Sequence, residues 1–291
     1  MKPLAALCAL ASLLLSPMLA LAADPGINAI DDAAVDDRIL SQIQKLTEEK
    51  RAVKGSVLME QLQRTRCHLS LPEASAKEPI SKTDFYNRIR RSVVVLAAPY
   101  HPKKQKRAKM ELNTAAGFIL NQSGVVVTNY HVVIKNESLF ALTAEGEVLP
   151  VKEVLAANEA DDVAIVQLDG GESIPPLPLA PAESPAPVGS AVRVISHPDG
   201  NYWSLTEGVL SRYFIIDLGE KLGRVPSMAI TADFARGSSG GPVLDESGSV
   251  VGMVASTRSI YYDEHKGQQE DLQMVIKECV PAASIWKLIE K

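Results

Sequence analysis

Three short segments of this 291-residue chain hold side chains that together could carry out nucleophilic chemistry. They are Thr128-Asn129-Tyr130-His131-Val132-Val133, Asp161-Asp162-Val163-Ala164-Ile165-Val166 and Gly237-Ser238-Ser239-Gly240-Gly241-Pro242-Val243. A serine hydroxyl is a weak nucleophile alone. Acyl transfer at serine needs a base to take the proton and an acid to hold that base. It also needs backbone N–H groups aimed at the developing oxyanion, and a glycine-rich loop lets backbone approach that closely.

The serine loop also fits G-x-S-x-G, the nucleophile elbow of α/β-hydrolases. Chain order separates the two readings. The elbow enzymes run serine, acid, histidine, whereas this sequence runs histidine, acid, serine. An α/β fold would also need helices between its strands, and the sequence shows none there. An esterase is disfavoured on the same ground.

The three segments resemble the chymotrypsin-like clan, most closely its bacterial trypsin-like and Deg/HtrA branch. The similarity covers roughly residues 83 to 290. It implies a mainly β fold, a chymotrypsin-like double β-barrel, here with an N-terminal helical extension and a C-terminal helix. It implies a serine endopeptidase with His131 as general base, Asp162 as orienting acid and Ser239 as nucleophile. Asp161 is the alternative acid. The backbone amides of Gly237 and Ser239 match the oxyanion hole, and Ala255-Ser256-Thr257 matches the strand that lines substrate. Gly208-Val209-Leu210-Ser211 resembles the glycine-led strand of the second barrel. Asp233, six residues before Ser239, holds the offset of the acid that binds Arg or Lys in trypsin-like pockets, with Arg236 a candidate to neutralise it.

The sequence departs from this pattern twice. Ser238 stands where digestive-type enzymes have an aspartate that pairs with a freshly cut N-terminus, so that mode of activation is not expected. About fifty residues follow Ser239, enough to finish the barrel and too few for a PDZ domain.

The positioning elements read as many short strands. Candidates are 92–97, 115–120, 125–128, 164–168, 191–195, 228–231 and 250–255, separated by turn residues, which indicates an all-β barrel or sandwich. Residues 28–66 lack proline and hold one glycine, Gly55. Ile39, Ile43, Leu46, Val53 and Val57 follow helical spacing there. This segment reads as a long amphipathic helix or a helical hairpin broken near Gly55, serving to pack on the protease domain, to form a homo-oligomer or to act as a stalk. Residues 72–81 read as a linker, 103–109 as a basic hairpin loop, and 281–291 as a short helix with Ile285, Trp286 and Ile289 on one face. The expected division is 1–22 leader, 23–80 helical extension and linker, 81–291 protease domain.

Met1-Lys2, the apolar run from Leu4 to Leu15 and Ala20-Leu21-Ala22 form a secretory signal peptide. Its removal leaves no apolar stretch able to span a membrane, and moves the formal charge from −5 to −6. This acidity disfavours a nucleic-acid partner. Periplasmic or secreted action on protein or peptide substrates is expected, without cofactor. No metal site is expected, because His68, His101 and His265 lack ligand-like neighbours. His197 reads as structural. Cys67 and Cys279 remain after processing and are expected to form a disulfide, worth up to ~5 kcal/mol in the entropic account. The competing functional reading is a catalytically silent protease-fold binding module.

Overall fold

The computed structural model describes residues 29–72, 78–102, 110–134, 136–265 and 268–290. The leader, the middle of the 72–81 linker and the basic segment 103–109 lie outside them.

Residues 32–48, free of proline and glycine, form helix α1 (Asp32–Glu48). Ile39, Ile43 and Leu46, spaced four and three apart, form its buried stripe, as helical periodicity requires. The helix ends before residues 49–54. Gly55 then opens α2 (Gly55–Gln61) rather than breaking a continuous helix. A side chain at Gly55 would collide with the Asn136 carbonyl. Val57 is 41% exposed, and Leu58 and Leu62 take its place in the core. A two-residue strand β1 (Cys67–His68) follows, then α3 (Lys82–Ile89), whose first turn is capped by the Ser81 hydroxyl accepting the Asp84 N–H.

Two closed six-stranded barrels follow. The first has β2 (Val93–Tyr100), β3 (Glu111–Ile119), β4 (Val125–Thr128), β5 (Phe140–Leu142), β6 (Val148–Asn158) and β7 (Val163–Leu168) in the order β2-β3-β4-β7-β6-β5. One helical turn, α4 (Tyr130–Val133), leaves the end of β4. The second has β8 (Ala191–Ser196), β9 (Ser204–Asp217), β10 (Arg224–Ile230), β11 (Pro242–Leu244), β12 (Val250–His265) and β13 (Gln268–Pro281), closing as β10-β13-β12-β11-β8-β9. A short helix α5 (Gly219–Leu222) caps the β9–β10 turn. Helix α6 covers only Ala282–Trp286, and Ile289, expected on its face, belongs instead to β14 (Ile289–Glu290), which pairs in parallel with β1.

Each barrel has its own apolar filling. Leu96, Ile119, Val126, Val154 and Val166 are among the first, and Val192, Val194, Leu210, Met228 and Val254 among the second. Full burial of such side chains contributes about 1.5–3 kcal/mol each. Helix α1 packs on β2, β3 and β6, and α2 on β6. The apolar stripe of α1 is therefore spent on its own barrel. No helix among the described residues is long and apolar enough to cross a membrane.

The expected disulfide is absent. Cys67 and Cys279 are both free thiols. Cys67 sits half-buried in β1, bound through its backbone to Leu288, while Cys279 is fully buried within the second barrel. Each is held by a different part of the fold. Burial pushes the Cys67 thiol up to about 11, with the Glu290 charge adding to it, and burial drives Cys279 higher still.

Candidate active site

β4 delivers the histidine. Its four residues are fully covered, and the chain turns at Asn129 into the single turn that carries His131. The acid arrives on the turn before β7. Asp162 sits in the left-handed region at φ 53°, which Asp tolerates better than most residues. That turn sets both carboxylate oxygens on one partner. Oδ2 lies 2.8 Å from His131 Nδ1, and Oδ1 accepts the His131 backbone N–H at 3.0 Å. The Asn129 amide donates to the Asp162 carbonyl at 3.0 Å, so the residue before the helix fixes the acid's backbone as well.

Asp161 and Asp162 separate cleanly. Asp161 is buried and faces away from the histidine. It accepts the Ser284 hydroxyl at 2.7 Å and the Lys287 ammonium at 2.9 Å. The adjacent carboxylate thus anchors α6 and the residue after it to the acid turn.

The serine loop joins the second barrel to the first. Gly240 has φ 85°, and a Cβ there would lie 2.0 Å from the Ala116 carbonyl oxygen and 2.4 Å from Thr128 Oγ1. Only glycine lets the loop meet β3 and β4 so closely. Ala116 N–H donates to the Ser239 carbonyl at 2.7 Å across this seam. Ser238 is buried, and its hydroxyl accepts that of Ser196 at 3.0 Å. Position 238 therefore holds a neutral hydroxyl paired with another, with no carboxylate to receive a charged terminus. The Ser239 hydroxyl donates to the Ala255 carbonyl at 3.3 Å. His131, Ser239, Arg236 and Gly237 line one cleft of about 260 Å³ together with Leu96, Asn113 and Thr114.

The Arg236–Gly237 peptide, the candidate oxyanion donor, is fixed from the loop after β8. The Arg236 carbonyl accepts the Asp199 N–H at 2.6 Å. No peptide bond among the described residues is cis, and across a trans peptide C=O and N–H point in opposite directions. The Gly237 N–H is thereby turned away from Asp199. Among the described residues neither the Gly237 nor the Ser239 N–H donates to a protein acceptor. Gly237, at φ 92°, has no room for a side chain, since a Cβ would lie 2.4 Å from the His197 carbonyl. His197 is fully buried. Its Nε2–H donates to the Val94 carbonyl at 3.1 Å, and Nδ1 accepts the Trp203 N–H at 3.0 Å. Burial lowers its pKa to about 4, the Val94 bond opposing this in part.

Asp233 does not form the base of a pocket. Its side chain is 81% exposed and is paired with Lys277, which also donates to the Phe234 carbonyl and lies over the Phe234 ring. The Lys277 hydrogen bond holds the Asp233 carboxyl below its usual range. Arg236 pairs with Asp199 at 3.4 Å instead. The offset from the serine placed Asp233 in the right loop, but the loop turns its carboxylate outward. Ala255, Ser256 and Thr257 lie on β12, with Ala255 against the serine hydroxyl.

Residues 115–253 match the trypsin-like peptidase domain family. The chain carries a trypsin-like peptidase domain. It is 29% identical over 158 residues to a "Probable periplasmic serine endoprotease DegP-like" of Halomonas elongata, covering 53% of this chain and 32% of that protein. It is 32% identical over 143 residues to "Protease Do-like 1, chloroplastic" of Arabidopsis thaliana, covering 48% and 32%. The domain thus spans about a third of the length of these relatives. The fold is also that of the serine endoprotease from Yersinia pestis, at TM-score 0.52 and 18% identity over 72% of this chain and 66% of that one.

The local motifs around this domain's three site segments were legible in sequence. Asn129 was legible as part of its motif but not as the clamp on Asp162. Ser196, Asp199, Ser284 and Lys287 carried no signal, because each reaches the site from a distant segment.

Proposed function

We propose that this chain is a serine endopeptidase that hydrolyses peptide bonds outside the cytoplasm through an acyl-enzyme. The observation that carries the reading is the double hold of Asp162 on His131, through Nδ1 and through the backbone N–H, beside a cleft shared with Ser239. A carboxylate on Nδ1–H leaves Nε2 as the base and stabilises the imidazolium once it forms.

In the proposed reaction the Ser239 hydroxyl leaves the Ala255 carbonyl and gives its proton to His131 Nε2 as Oγ attacks the substrate carbonyl. The Gly237 and Ser239 N–H groups receive the oxyanion. His131 then protonates the leaving amine, and water, activated by the same histidine, releases the acyl group from Ser239. Ala255, Ser256 and Thr257 line the substrate on the side before the bond. Residues 81–291 form the protease domain, 23–80 an extension held on the first barrel, and 1–22 a signal for export. The naming of a relative as periplasmic is consistent with that signal.

One observation favours a second reading, a silent binding module: the Ser239 hydroxyl is engaged with Ala255. The test is incubation of the chain from residue 23 with a proteome-derived peptide mixture, the new termini being sequenced by mass spectrometry. Cuts that vanish in Ser239→Ala establish the protease. Identical, uncut mixtures from both proteins establish the binding module.

A further inference from the structure

The second barrel holds a cation between the two chain segments that meet at Ser239. Lys277 lies on β13, directly across from Thr257 of β12. Its side chain is only 15% exposed. The ammonium lies over the Phe234 ring, 5.3 Å from the centroid, and donates to the Phe234 carbonyl at 2.6 Å. A second N–H goes to the Asp233 carboxylate. An ammonium has three N–H groups, and the third meets no acceptor among the described residues. The segment 233–237 on one side leads into the serine loop. The segment 255–257 on the other carries the carbonyl that accepts the Ser239 hydroxyl.

The surroundings leave this cation open to a visiting acid. Asp233 is its one acidic partner among the described residues, and that carboxylate is 81% exposed. A water-screened pair of this kind contributes little and exchanges readily. Glu278, the next residue of β13, points to the opposite face, where it accepts the Ser256 hydroxyl and the Arg258 guanidinium. Arg236 is turned to Asp199. Beneath the ammonium, the Phe234 ring belongs to the apolar filling of the barrel. The cleft that holds His131 is walled by Leu96, Asn113 and Thr114 of the first barrel, and neither β12 nor β13 lines it. That cleft suits the leaving half of a substrate. The acyl half is left to the second barrel, where Lys277 stands.

We propose that Lys277 selects an acidic side chain, Asp or Glu, on the residue whose carbonyl Ser239 attacks. The proposal rests on the endopeptidase reading. The incoming carboxylate takes the unused N–H of the ammonium, and Asp233 gives way toward water. Hydrogen bonds between ions are stronger than those to a neutral amide, so Asn or Gln of the same shape binds less well. Lys or Arg at that residue brings like charges together. The offset of Asp233 from Ser239 suggested a basic preference, and the cation on β13 reverses it.

The experiment uses quenched-fluorescence peptides built on one cut found in the proteome-derived mixture, with Asp, Glu, Asn, Leu or Lys before the bond. Asp and Glu are expected to exceed Asn in kcat/KM by about tenfold or more, with Lys lowest. In Lys277→Met the ratio of Asp to Asn is expected to fall to about one. In Asp233→Asn, a change at an exposed side chain, the ratio is expected to rise above that of the unaltered chain, so the test survives if Lys277→Met does not fold. Labelled peptides ending at that residue as C-terminal amides, bound to Ser239→Ala and followed by anisotropy, read the same preference without turnover. No cutting, with the Asp amide bound more tightly than the Asn amide, overturns the endopeptidase reading and keeps the Lys277 site. Cutting and binding that treat Asp and Asn alike overturn the proposal and keep the endopeptidase. The proposal is equally overturned if the acidic preference survives Lys277→Met, or if Asp233→Asn fails to raise it.

Discussion

The phenol of Tyr202 donates to the carboxylate of Asp36, and the Tyr202 N–H donates to Asp32 at 3.1 Å. Both acids belong to α1, so the helix grips the loop whose Asp199 N–H holds the Arg236 carbonyl. Burial first, and then Asp36, drive the Tyr202 phenol pKa upward and keep it a donor. Tyr202 also packs with His197 and Trp203, their ring centroids 5.3–6.0 Å apart. Through this chain of contacts α1 supports the Arg236–Gly237 peptide, the candidate oxyanion donor.

Loosening that grip is expected to lower turnover more than affinity. Losing an oxyanion donor outright costs about 10²–10³ in kcat, so a merely loosened one should cost less, about three- to thirtyfold, with KM little changed. Asp36→Ala and Tyr202→Phe, measured by steady-state kinetics with active-site titration of Ser239, check this. Equal losses in kcat and thermal stability would instead make the contact purely structural.

The two neighbouring aspartates are expected to fail differently. Asp162→Asn keeps the fold and lowers kcat by about 10⁴, because the amide no longer favours the required tautomer. Asp161→Ala strands the Ser284 hydroxyl and the Lys287 ammonium. It should lower unfolding free energy by about 1–3 kcal/mol while leaving most of the turnover. Denaturant melts beside kinetics on both variants separate the roles.

His197 gives the molecule an acid limit. Its folded pKa is depressed to about 4, against about 6.5 in the unfolded chain. Above pH 6.5 both states are neutral and the group costs nothing. As pH falls from 6.5 to 4 the unfolded state takes up the proton first, and stability drains away, by about 3 kcal/mol over the full window. His197→Gln should start less stable at pH 7.5 and show a flatter decline to pH 4.5 in thermal melts.

Free thiols predict indifference to reductant. A disulfide closing so long a loop would cost about 2–5 kcal/mol on reduction. The melting temperature is expected to be the same with and without dithiothreitol, and thiol titration of the unfolded chain from residue 23 should count two cysteines.

The sequence exposed what is local and hid what is distant. The seven strands expected from apolar runs all exist, because buried β-branched runs between turns have few other solutions. β5 was missed because three residues are too few for a pattern. The outer half of β12 and all of β13 were missed; where the two run on as a ribbon, water reaches both faces and no apolar alternation marks them. The stripe of α1 was legible from period alone, but its partner, the first barrel, was not. Asp233 shows the limit most clearly. Its offset from Ser239 is a matter of counting, while the direction of its carboxylate was decided by Lys277, forty-four positions away in the chain.

β1 and β14 meet in parallel, Cys67 opposite Ile289 and His68 opposite Glu290. Their pairing imposes an order in time. Cys67 and His68 cannot find their partners until Ile289 and Glu290 have been made, whereas the helices before them pack on the first barrel. A chain stopped a few residues short would own both barrels, both helices packed on the first and every candidate catalytic group, yet leave β1 without a strand to join.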